Sequence, residues 1–77
     1  VPSEIADILL SWAEQIEKYG IVEVKKIRRF RDHALKGKWR GHRAIRLSYL
    51  WRAIYREESS GKVNLVIVEE VVPHDYS

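Results

Sequence analysis

The chain opens on a helical period. Ile5, Ile8, Leu9, Trp12, Ile16 and Tyr19 recur at the i, i+3, i+4, i+7 spacing of one apolar face, while Glu4, Asp7, Glu14, Glu17 and Lys18 occupy much of the other side. This spacing predicts a helix over residues 2–19. Pro2 suits its first turn, Ser3 is an alternative cap, and Gly20 is a natural stop. Trp12 and Tyr19 read as core aromatics on the buried face. Residues 21–27 predict a second, shorter helix turning Val22 or Val24, Ile27 and Phe30 inward, although its β-branched residues suit a helix poorly. The period dissolves over residues 28–42, RRFRDHALKGKWRGH, where Gly37 and Gly41 permit turns. A long loop is expected there.

From Arg43 the period becomes two. Arg43, Ile45 and Leu47 share one face of a strand over residues 43–48, and Ala44, Arg46 and Ser48 share the other. Residues 51–57 form a second strand rich in aromatic and β-branched residues, and the short connection between the two predicts a hairpin. EESSGK at residues 57–62 is a turn. Residues 63–72 form a long valine-rich strand with Leu65, Ile67 and Glu69 on one face, ended by Pro73, which leaves the tail His74-Asp75-Tyr76-Ser77. The order predicts an α+β fold: one domain over residues 1–77, two N-terminal helices packed on a mainly antiparallel sheet of three to four strands. So thin a core, in a chain that starts at a helix, leads us to expect that an N-terminal strand is missing.

Composition narrows the class. Seventy-seven residues hold one small core, and the absence of cysteine excludes disulfides and a thiolate zinc site. No apolar run approaches the ~20 residues that span a bilayer, so no membrane partner is expected and a cytoplasmic location is. Charge changes the picture more. Residues 25–56 carry twelve of the 14 Lys and Arg against the single acid Asp32, a net +11, while the segments on either side are each −4. The overall +3 hides a polarised molecule whose natural partner is a polyanion.

Solubilising surfaces mix their signs, whereas this one is one-signed and interleaved with Trp39, Trp51 and Tyr55, which can stack on bases. Lys36, Lys38 and Arg40 alternate along the loop like a comb for a phosphate backbone. Arg46 lies opposite Ile45 and Leu47, in a groove if its face of the sheet is uncovered. His33, His42 and His74 have no metal-binding spacing among themselves, and each in isolation reads first as structural or exposed. A metal held by His33, His74 and Asp75 is a weaker alternative, and the scarcity of carboxylates in the basic half argues against a two-metal nuclease. Arginine, histidine and tyrosine around one groove are what metal-free RNA cleavage requires. A base takes the 2′-OH proton, an acid protonates the departing 5′-oxygen, and arginines stabilise the charge on phosphorus.

LKGKWRGHRAIRL, then WRAIYRE, then VEEVVPHDY, together resemble the RelE/ParE superfamily of bacterial toxin–antitoxin systems, most nearly its RelE-like messenger-RNA interferases of the YafQ and HigB types. The resemblance runs from Val1 to Tyr76. It implies a metal-independent endoribonuclease, without cofactor, that cuts messenger RNA on the ribosome and is neutralised by a cognate antitoxin. It implies catalytic roles for His33 in DHAL, Arg46 on the first hairpin strand, Arg52 as the phosphate-contacting arginine, and His74 and Tyr76 after the last strand, with Tyr76 or His74 as general base and His33 a competing candidate. Asp75 is a weaker candidate. The RNA-gripping residues would be Lys36, Lys38, Trp39, Arg40 and Arg43. The chain departs from the family pattern in lacking a strand before the helices and any C-terminal helix. The alternative is a toxin of the ParE type, which shares the fold but inhibits DNA gyrase. Its members generally lack the His and Tyr set.

Overall fold

The computed structural model describes residues 1–69, and the candidates His74, Asp75 and Tyr76 lie outside them. Helix α1 spans Ser3–Tyr19. The Pro2 carbonyl accepts the Ile5 and Ala6 N–H groups at 3.0 and 3.1 Å, which opens the helix without any side-chain cap. Gly20, at φ 86°, ends it. Ile5 and Trp12 are buried, and Ile8, Leu9 and Ile16 pack half-buried beside them, as the period requires. Tyr19 departs from expectation. It is 57% exposed, with Lys18 Nζ 5.3 Å from its ring centroid. The helix ends one residue later, and Ile21, across Gly20, packs against the core instead.

Helix α2 is a single turn, Ile21–Val24, shorter than residues 21–27 predict. The N–H groups of Lys26 and Ile27 reach back only three residues, to Glu23 and Val24, tightening the chain out of the α-helix. Val24 is buried and Val22 is exposed. Phe30 is buried at the end of a 3₁₀ turn over Arg28–Phe30.

Residues 28–42 are more ordered than a long loop. They contain strand β1, His33–Ala34, and a second 3₁₀ turn over Gly37–Trp39. Strand β2 is Arg43–Arg46, β3 is Trp51–Glu57 and β4 is Val63–Glu69. The sheet runs β1-β2-β3-β4 with every neighbouring pair antiparallel. The register places His33 opposite Ala44, Arg46 opposite Arg52, Ile54 opposite Val66 and Arg56 opposite Asn64.

Alternation then divides the sheet into two faces. Ile45, Leu47, Ala53 and Tyr55 form the core with Trp12, Val24 and Phe30, and Trp51, Val63 and Ile67 pack around them. Trp12 meets Tyr55 edge-on, with centroids 5.0 Å apart at 61°, the contact that fastens helix to sheet. Truncating Trp12 should therefore be costly. Trp12→Ala is expected to lower stability by about 3–5 kcal/mol, whereas Leu10→Ala, at a position 60% exposed, should shift it by about 0.5 kcal/mol or less. Urea titration followed by circular dichroism reads both, and equal effects would overturn the facing of α1.

Candidate nucleic-acid interface

The second face of the sheet carries His33 on β1, Ala44 and Arg46 on β2, Arg52, Ile54 and Arg56 on β3, and Asn64 and Val66 on β4. None of these belongs to the core between helix and sheet. Arg46 and Arg52 sit directly across from one another on neighbouring strands.

Around the two arginines lies a cavity of about 650 Å³, lined in part by Arg31, Asp32, His33, Arg46, Tyr49 and Arg52. Arg46 stands with its guanidinium carbon 6.0 Å from the centre of the exposed Tyr49 ring. On the other side, Arg31 adopts the left-handed conformation, φ 49° and ψ 44°, uncommon for a residue with a β-carbon. That conformation closes the 3₁₀ turn and reverses the chain into β1. It also presents the Arg31 carbonyl to His33 Nδ1, 2.8 Å away. A carbonyl oxygen only accepts, so this contact requires the proton on Nδ1. With Nδ1 so engaged, Nε2 is the ring nitrogen left for other partners.

Asp32, between these two residues, anchors the turn. Its side chain is 1% exposed. Arg43 Nε donates to Oδ1 at 2.5 Å and the Tyr55 hydroxyl donates to Oδ2 at 2.5 Å. Both bonds end on a carboxylate, the strong kind, and they satisfy a charge that would otherwise be prohibitive to bury. Burial foremost, and then the bond to Asp32 and its charge, push the Tyr55 phenol well above its ordinary value. The hydrogen bond to Asp32 is likewise the main reason that the Arg43 guanidinium is raised.

The candidate residues from the sequence therefore separate. His33, Arg46 and Arg52 converge on the cavity. Lys36, Lys38 and Arg40 are exposed on the connection from β1 to β2. Trp39 is half-buried and lies edge-on to His42, with centroids 5.4 Å apart, in a separate cavity of about 180 Å³. Arg43, expected to grip RNA, is drawn to Asp32 and aligns with Tyr55 on the core side of the sheet. Sequence reasoning missed Arg31, Asp32 and Tyr49. Asp32 alone gave a signal, as the one acid among twelve cations.

Among the described residues no three His, Cys, Asp or Glu side chains cluster as metal ligands, and no helix is long and apolar enough to cross a membrane. Neither family models, curated proteins nor solved structures provide a match to this chain.

The Tyr55–Asp32 bond has a pH signature. The folded state holds the phenol proton above the ordinary value of 10.0, where the unfolded chain releases it. The folded state then binds more protons than the unfolded one, so stability present below about pH 10 falls as pH rises beyond it. Tyr55→Phe should cost about 1–3 kcal/mol at neutral pH and remove this alkaline slope. Urea midpoints measured across the alkaline range in both proteins check it.

Proposed function

We propose that this protein is a small endoribonuclease that works without a metal, cutting messenger RNA on the ribosome by attack of the 2′-hydroxyl on the adjacent phosphate. The observation that carries the reading is the convergence of His33, Arg46 and Arg52 on one cavity. The resemblance to RelE-like interferases supports it, and so does the concentration of positive charge in residues 25–56.

The roles follow from the chemistry. His33 Nε2 takes the 2′-OH proton, and the 2′-oxygen bonds to phosphorus as the bond to the 5′-oxygen breaks. The products are a 2′,3′-cyclic phosphate and a 5′-hydroxyl. Arg46 and Arg52 hold the non-bridging oxygens, whose negative charge grows in the transition state. The resemblance assigns His74 and Tyr76 to proton transfer as well, so one of them would protonate the leaving oxygen. Lys36, Lys38 and Arg40 grip the RNA backbone beyond the cavity. A cognate antitoxin that covers this cationic face would silence the enzyme.

His33→Ala should slow cleavage by about 10²–10⁴-fold, and Arg46→Ala or Arg52→Ala by about 10²–10³-fold, each with an unchanged circular dichroism spectrum. Each arginine removed should also lower the slope of log K against log salt by about 0.7 for single-stranded RNA. Primer extension on messenger RNA from cells expressing each variant reads the cuts. A His33→Ala variant that cuts at the rate of the parent would overturn the assignment.

A further inference from the structure

We propose that the sheet face bearing Arg46 and Arg52 carries a second site, a pocket for one unpaired nucleobase, built by Trp39, His42, Ile54, Arg56, Asn64 and Val66. The proposal rests on the reading that this face binds RNA, and adds to it a base-selecting element apart from the phosphate-binding arginines.

The site is a cavity of about 180 Å³ that shares no lining residue with the larger one. It is smaller than the ~300–1,000 Å³ pockets that take drug-sized ligands, a size that suits one flat ring system. Its floor comes from the register of the sheet. Ile54 and Val66 are cross-strand partners, and so are Arg56 and Asn64 one step further along. Their side chains project to the same face as Arg46 and Arg52. Ile54 is 6% exposed and Val66 is 56% exposed, so an apolar shelf begins under cover and runs into the open.

The wall comes from the loop. The 3₁₀ turn over Gly37–Trp39 brings Trp39 to this end of the sheet, and His42 N–H closes the turn on the Trp39 carbonyl at 2.9 Å. The two rings then meet nearly perpendicular, at 79°. A ring braced at its edge keeps its orientation while a base stacks on its face.

The rim is polar in the way a base edge requires. The Asn64 side-chain amide donates to Glu58, leaving its carbonyl oxygen as an acceptor, and Arg56 supplies fixed donors and a charge for the neighbouring phosphate. Arg52 and Arg56 lie four residues apart on β3, about 13 Å along the strand. A single strand of RNA a few nucleotides long can therefore place one phosphate between Arg46 and Arg52 and a nearby base against Trp39. Selectivity for a nucleotide near the cut would arise here, because the phosphate contacts carry no sequence information.

The test uses the whole chain and short RNA oligomers with 2′-O-methyl sugars, which the 2′-hydroxyl route cannot cut. An abasic site is walked along the oligomer and binding is followed by tryptophan fluorescence and by anisotropy of a labelled end. One position should weaken binding about tenfold when its base is removed, and lose the fluorescence quench with it. Trp39→Ala should bind every oligomer as weakly as the parent binds that one. Trp39→Phe, which keeps a stacking ring, should retain the position dependence without the quench. Arg46→Ala should weaken all oligomers alike. A flat profile in the parent, or position dependence surviving in Trp39→Ala, overturns the pocket while leaving RNA binding in place. An absence of binding to any oligomer overturns both readings.

Discussion

One buried carboxylate ties the molecule together. Asp32 is the only acid among the twelve cations of residues 25–56, and its side chain is nearly inaccessible to water. Through Arg43 it holds β2, and through the Tyr55 hydroxyl it holds β3. Tyr55 in turn packs its ring on Trp12 of α1. Three segments remote in sequence are thus fixed to one side chain. Buried ion pairs are weak sources of net stability, because desolvation offsets most of their attraction. Their better-attested contribution is to favour one arrangement over its neighbours, and here Asp32 joins the turn that carries Arg31 and His33 to β2 and β3.

That turn stands at the boundary between the two faces of the sheet. Asp32 is held from the core side, while His33, one residue on, faces the opposite side with Arg46 and Arg52. The left-handed backbone of Arg31 is the local cost of reversing the chain there, and the two bonds to Asp32 offset it. The histidine therefore rests on a rigid anchor although β1 is only two residues long. Arg46 and Arg52 come from the longer strands β2 and β3, whose register makes them neighbours. Scaffold and cleft depend on the same hydrogen bonds.

Much of this was legible in the sequence where a period was long enough to read. Seventeen residues of α1 declare one apolar face, and the aromatic and β-branched run of β3 marks its bounds. What escaped was local or long-range. Two residues of β1 have no period, and the strand exists because Leu35 and His42 close the connection to β2 through the Leu35 N–H and the His42 carbonyl. Tyr19 kept the helical spacing but fell where the helix stops. Arg43 looked like one more cation in a basic run until the fold brought Asp32 to it from eleven residues away. His33, Arg46 and Arg52 could be picked out as candidates, yet only the register shows why they share a cleft. Tyr49, in an exposed connection, left no pattern at all.

In the proposed function, one cationic face positions RNA so that its own 2′-hydroxyl breaks the chain. The end groups of messenger RNA cut by the purified protein on programmed ribosomes test that claim most directly. Attack by the 2′-oxygen predicts a 2′,3′-cyclic phosphate, or the 3′-phosphate formed from it, on one fragment and a 5′-hydroxyl on the other. Fragments ending in 3′-hydroxyl and 5′-phosphate, or RNA left uncut, would contradict it.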